Sequence, residues 1–340
     1  MDKLNMFITN TQWALLPDVL DMLAANDIDA LKAQFGTSKG QQTTQVSRKV
    51  AVIPVRGILT KEGSILSEVF GWSDTNSIQK QITSALNDSG IDAIVLDIDS
   101  PGGMVSGAKE LADFIFKASS KKPIIAHGSG LMASAAYWIA SGATKITAFD
   151  TSTIGSIGVY TVHYDLTGRD KQMGIKRTLI SAGKNKTHGH DAEPLTDESR
   201  KTLQKLVDDI HDIFVSDVAG YRNLTKESVI NTNANVYLAR QAKSIGLIDR
   251  ILTLDETVEY AAGLSMDEGY KSKKLLNETK ALLDEITQFK ASGYQEDADI
   301  EYGKELARQV TGEIRSDKFL KAKAETDEIL KNINGGLKHG

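Results

Sequence analysis

Three short stretches hold side chains that together suit attack on a carbonyl group. In "DSPGGMVSG" (99–107), Pro101 fixes one backbone angle, and Gly102 and Gly103 free the chain to point N–H groups into a cleft. In "GLMASAAYWIASGA" (130–143), Ser134 stands between Ala133 and Ala135, small neighbours that let a carbonyl carbon approach its hydroxyl. In "SAGKNKTHG" (181–189), Lys184 and Lys186 follow a β-like run. Backbone donors that stabilise an oxyanion, a hydroxyl nucleophile and an amine base would make a hydrolytic site.

Each stretch also has a plainer reading. The proline–glycine loop could be a turn alone. It lacks the lysine and hydroxyl of a P-loop and the glycine spacing of a dinucleotide site, so phosphate binding is disfavoured. Ser134 could be a helix N-cap, since the strict G-x-S-x-G pattern of a nucleophile elbow is missing. None of the six histidines (His127, His163, His188, His190, His211, His339) stands out as its base. A lysine base must lose its proton, a fall in pKa from about 10.4 towards 7 or 8 that desolvation can supply, at ~4 kcal/mol. In an extended loop Lys184 and Lys186 point the same way, so residue physics does not choose between them.

These elements need a frame to bring them together. "KVAVIPVRG" (49–57) starts a β-rich core, followed by a helix at 77–88, a strand at 92–99 and a helix at 106–120. The strand "PIIAHG" (123–128), a glycine turn, a helix from Ser134 and a strand at 145–150 follow. A further strand, "KRTLISAG" (176–183), precedes a long helix from Asp197 to about Tyr221. Strands apolar almost throughout, alternating with helices, predict an α/β fold with a mostly parallel, covered sheet. Both glycine loops then fall at carboxyl ends of strands, where open α/β sheets bind ligands.

The core is read as residues 49–265. Residues 1–48 form an N-terminal helical extension, with an amphipathic helix at 17–35, and a polar linker. Residues 266–340 form a charged helical region. From Asp267 onward that region holds 15 acidic and 13 basic residues, with Leu275, Leu276, Leu282, Leu283, Ile286 and Phe289 in a helical stripe. It reads either as a solvated tail or as a partner-binding or assembly segment.

Composition excludes several classes of function. The net charge is −5 with no basic face, so no nucleic-acid partner is expected. Cysteine is absent, which removes disulfides and thiolate chemistry. "HGHD" (188–191) is a poor ligand set, so no metal is expected, and nothing calls for a cofactor. Pro123–Thr144 contains no Lys, Arg, Asp or Glu, but "HGSG" interrupts it, so it is not a membrane span. With no basic, apolar leader at the start, the chain reads as soluble and cytoplasmic.

"DSPGGMVSGAKELADFI", "GLMASAAYWIAS", "TSTIGSIGV" and "LISAGKNK", in this order and spacing, resemble the signal-peptide-peptidase-A family of serine peptidases. The resemblance covers about residues 49–265. It implies the fold shared by Clp protease and the crotonases, a ββα superhelix. It also implies Ser134 as nucleophile and Lys186 as general base of a Ser–Lys dyad, with Ser156 orienting the lysine. The N–H groups of Gly102, Gly103 and Ala135 would form the oxyanion hole. Many bacterial members have a membrane anchor and two glycines after the serine, where this chain has no anchor and "SAAYW". The soluble capsid-maturation proteases of tailed phages, the lambda-type protease C branch, fit better. That branch implies protein substrates such as capsid, scaffold or portal proteins, a ring-like homo-oligomer and action inside the prohead. A soluble peptide-degrading relative is the alternative, followed by a crotonase-type acyl-CoA enzyme and a non-catalytic scaffold.

Overall fold

The computed structural model describes residues 11–25, 44–63 and 72–267. The chain divides into two units, Met1–Ala262 and Gly263–Gly340, and the C-terminal stripe from Leu275 to Phe289 lies outside the described residues.

The described chain opens with β1 (Trp13–Leu15) and α1 (Pro17–Ala24), then the hairpin strands β2 (Gln45–Ser47) and β3 (Val50–Arg56). Next come α2 (Thr75–Asn87), β4 (Ala93–Ser100), β5 (Gly102–Met104) and α3 (Ala108–Ala118). β6 (Ile124–Ala133), α4 (Ala135–Ser141), β7 (Lys145–Ala148) and β8 (Thr153–Gly155) follow. The remainder is α5 (Thr167–Gln172), α6 (Asp197–Arg222), α7 (Lys226–Ile230), β9 (Val236–Leu238), α8 (Ala239–Ser244), β10 (Arg250–Ile251) and α9 (Leu254–Met266).

The main sheet runs β10-β7-β6-β4-β3-β2. Its β3, β4, β6, β7 and β10 are parallel, and β2 closes one edge antiparallel. Every residue of β4 except Asp99 is buried, as expected of a strand covered on both faces. The sequence writes the helix ends in side-chain chemistry. Asp74 accepts from the Ser77 N–H at 2.8 Å to start α2, and Thr196 accepts from the Ser199 N–H at 3.1 Å to start α6.

β6 is longer than its sequence suggests. "HGSG" is not a turn; the strand runs straight through it to Ala133. Between Ile98 and Ser100 the pairing of β4 with β6 slips, and the Asp99 carboxylate fills the gap, accepting from the Leu131 N–H at 2.9 Å. Gly130 leaves room for it, since a Cβ there would stand 2.7 Å from that carboxylate. The first half of β6 pairs with β7 and the second half with β8, so one strand serves two neighbours in succession.

One further expectation fails here. "KRTLISAG" forms no strand: Ile180 is 94% exposed and no β-ladder includes the segment. The N-terminal helix, which the sequence leaves without a place in the core, has one. Its Val19, Leu20 and Leu23 join Trp13, Leu15, Ile58 and Trp72 in a second apolar cluster beside the main core.

Candidate active site

Ser134 lies at the junction of β6 and α4 with φ 56° and ψ −121°, a backbone conformation that an L-residue adopts only when its surroundings impose it. Those surroundings are specific. The Ser134 N–H donates to the Gly155 carbonyl at 2.8 Å, and its own carbonyl accepts from the Trp138 N–H at 2.9 Å. Tyr137 and Trp138 hold the helix behind it. The Tyr137 hydroxyl donates to the Leu247 carbonyl at 2.8 Å, and the Trp138 indole stacks on Phe214 at 4.2 Å and donates to Asp217 at 3.0 Å. Ala133 and Ala135 are fully buried, so larger side chains would not fit beside the serine.

The proline–glycine loop meets this turn. A Cβ on Gly102 (φ +100°) would lie 2.9 Å from the Ser134 Cβ, and one on Gly103 would lie 2.0 Å from the Leu59 carbonyl oxygen. Glycine is required at both positions. Ser100 braces the loop: its buried hydroxyl donates to the Gly57 carbonyl at 2.7 Å and accepts from the Gly102 N–H at 3.2 Å. On the other side of Ser134, the Gly155–Gly158 segment bends through positive φ at Gly155 and Ser156. The Ser134 hydroxyl faces the Gly158 carbonyl at 3.4 Å. Ser134, Ala135, the Gly102–Gly103 loop and the Ser156 turn therefore come together.

Lys186 is not brought to them. It lies in an exposed turn, its N–H donating to the Gly183 carbonyl at 3.1 Å, and among the described residues its side chain has no partner. Lys184 pairs with Glu198 at 2.7 Å, and that carboxylate raises the lysine's pKa above its ordinary value, which works against a neutral amine. The loop is anchored at its base by Arg177, which bridges Asp170 and Asp191, and by the His163 Nδ1 contact with the Gly189 carbonyl at 3.0 Å.

Residues 117–266 match the family described as Peptidase family S49, and residues 47–155 match the Clp protease family. The chain carries an S49 peptidase domain. Its fold is Clp protease-like. Capsid assembly protease C of Escherichia phage lambda is 32% identical over 241 residues, covering 70% of this chain and 55% of that protein. Head-tail preconnector protein GP5 of Enterobacteria phage P21 is 31% identical over 245 residues, 72% of this chain and 48% of that protein. The chloroplastic serine protease SPPA of Arabidopsis thaliana is 26% identical over 215 residues, 63% of this chain and 32% of that protein. The chain spans about half the length of the two phage proteins.

Within the S49 domain, His127 is no candidate for the base. It sits on β6 six residues before Ala133, some 20 Å from the serine at about 3.3 Å per residue. Its Nδ1 contacts the Thr147 and Thr257 hydroxyls at 2.9 and 3.1 Å, and burial pushes its pKa down to about 4. "HGHD" splits too: His188 contacts Thr202 at 3.0 Å, while His190 lies against Asp191 at 3.3 Å. Among the described residues no group of three His, Asp or Glu could hold a metal, and no helix is long and apolar enough to cross a membrane. Sequence reading missed the bracing role of Ser100, although the signal was present in a hydroxyl two residues before the first glycine of the loop.

Proposed function

We propose that the chain is a serine endopeptidase acting on proteins of a phage head. Ser134 is its nucleophile, Lys186 its general base and Ser156 the hydroxyl that orients the lysine. The N–H groups of Gly103 and Ala135 receive the oxyanion, joined by that of Gly102 once it leaves the Ser100 hydroxyl. One observation carries this reading: the strained Ser134 backbone is held directly against a glycine loop that admits no side chain. That arrangement sets the Ser134 side chain beside a loop whose backbone can approach a substrate carbonyl closely.

In this mechanism the neutral Lys186 amine takes the Ser134 proton as Oγ bonds to the substrate carbonyl carbon. The resulting ammonium then protonates the departing amine as the peptide C–N bond breaks. Water, deprotonated by the same lysine, hydrolyses the acyl-serine and restores both groups. For this the 183–189 turn must carry Lys186 toward Ser134, whereas Lys184 is already committed to Glu198.

Substrates among capsid, scaffold or portal proteins are supported by what the two phage relatives are named for, capsid assembly and head–tail connection. A homo-oligomer and recruitment through residues 266–340 belong to the same proposal. The test is a serine-reactive fluorophosphonate followed by peptide mapping. A single adduct on Ser134, lost in Ser134→Ala, supports the proposal; an adduct on another serine instead overturns it.

A further inference from the structure

Residues 13–15 of the chain lie beside the turn that carries Ser134. β1 pairs antiparallel with β5, placing Ala14 opposite Gly103 and Leu15 opposite Gly102. Its other edge bonds to the far wall: the Trp13 N–H donates to the Tyr160 carbonyl at 2.9 Å, and the Tyr160 N–H returns to Trp13 at 3.0 Å. The strand thus lies between the glycine loop and the segment that continues from the Ser156 turn. Its position relative to the nucleophile is close. The Ala14 carbonyl oxygen (2.2 Å) and the Ser134 Cβ (2.9 Å) crowd the same point, where a Gly102 side chain would begin. Ser134 itself is only 1% exposed.

The side chains divide as a strand requires. Trp13 and Leu15, 0% and 2% exposed, fill an apolar groove of Ile58, Trp72, Met104, Tyr160, Val162 and Tyr164. Ala14, between them, packs into the main core with Leu59. The fit is apolar but not polar. The Tyr160 hydroxyl is buried with no hydrogen-bond partner among the described residues, an arrangement that a different occupant or water would relieve.

We propose that this is the peptide-binding groove of the active site, that it takes an extended strand of large–small–large apolar pattern, and that Trp13–Leu15 occupies it to hold the resting chain latent. The groove recognises backbone through the open edges of β5 and Tyr160, and side chains through the pocket that Trp13 and Leu15 share. A substrate must displace β1, so its apparent affinity falls by the fraction of chains in which the groove stands open. The idea rests on the peptidase reading of Ser134, but the two can fail separately.

The test compares the full chain with its Trp13→Ser/Leu15→Ser variant in two measurements. One is the rate of fluorophosphonate labelling at Ser134; the other is binding of a fluorescein-labelled TQWALLPD peptide, residues 11–18. The variant should label roughly tenfold faster or more, and the peptide should bind the variant and slow its labelling again. A peptide with Ala for both Trp and Leu should bind roughly tenfold more weakly or worse. Equal labelling rates with no effect of peptide would overturn the latent-strand proposal and leave the peptidase standing. Peptide binding confined to the variant, with no labelling of either protein, would uphold the groove and overturn the nucleophile. Should the variant fail to fold, an external-protease site placed within residues 36–43 releases the same segment from an intact fold. Labelling that rises after the cut and falls when peptide is added back supports the proposal, and labelling that does not change overturns it.

Discussion

Around Ser134 nearly every atom has a fixed neighbour, whereas around Lys186 almost none does. The serine's N–H is tied to Gly155, its helix is pinned by Tyr137 and Trp138, and the loop facing it is braced by Ser100. The Lys186 loop is held at its base by Arg177 and His163 and touches α6 through the exposed Lys184–Glu198 and His188–Thr202 contacts, while the Lys186 side chain stands in solvent. A nucleophile and an oxyanion site must be preorganised to work, and the sheet supplies that rigidity. A base can arrive with the substrate. On the proposed assignment, the domain builds half of its chemistry into the core and leaves the other half on a loop.

The strongest way to break this contrast is to remove the two reacting groups. Ser134→Ala and Lys186→Ala should each lower peptide hydrolysis by ~10⁴-fold or more, with the double variant no worse than either single one. Both should fold with unchanged circular dichroism. Lys184→Ala should stay within about twofold of the native rate, since its charge is spent on an exposed pair with Glu198. A dead Lys184→Ala beside an active Lys186→Ala would reassign the base.

Next in size is the support behind the serine. Trp138→Ala removes a buried ring that stacks on Phe214 and should cost about 3–5 kcal/mol in urea unfolding. A comparable truncation on the exposed side, Ile180→Ala, should change stability by less than about 0.5 kcal/mol, because that side chain is 94% exposed. Equal costs would erase the distinction between the two regions.

Gly102→Ala tests the oxyanion loop. A methyl group there meets backbone at 2.2 Å and the serine at 2.9 Å, so the loop must move. Activity on a short peptide should drop by about 10²-fold, read as kcat/KM.

A last effect is a pH dependence of stability that leaves the site geometry alone. His127 has a pKa near 4 in the fold against an ordinary value of 6.5, so between those values the unfolded chain binds the extra proton. Stability should therefore be steady above about pH 6.5 and decline as pH falls towards 4, by about 3 kcal/mol at most. His127→Asn should flatten that decline in urea midpoints measured at pH 7 and 4.5. An unchanged slope would place the acid sensitivity in other groups.

Much of the frame is legible in the sequence because it follows from continuous patterns. The apolar runs of β3, β4 and β6, and the glycine loops after them, leave few alternatives to a covered parallel sheet. Ser134 and the Gly102–Gly103 loop could be picked out because small residues at strand ends are costly unless backbone must approach closely. What stayed hidden depends on partners distant in the chain. Three residues, Trp13 to Leu15, are too few to show a period, and they form a strand only because β5 offers an edge. "HGSG" looks like a turn until the Asp99 carboxylate is seen to fill the slip beside it. "KRTLISAG" has strand-like residues, yet no sheet edge receives it. Lys184 and Lys186 are equivalent along the chain, and the pairing of Lys184 with Glu198, on another element, is not written there.

The bond from the Ser134 N–H to the Gly155 carbonyl also sets an order of events as the protein is made. The serine's turn can reach its strained shape only after β8 has been synthesised and has docked on the second half of β6. β8 is held in turn by β9, some eighty residues further on. Such distant pairings form late, because a long loop must close before they can reward it. A partly made chain therefore carries the serine without its reactivity, and during refolding fluorophosphonate labelling should lag behind the main change in tryptophan fluorescence. On the proposed function, neighbouring nascent proteins would be spared until β9 is in place.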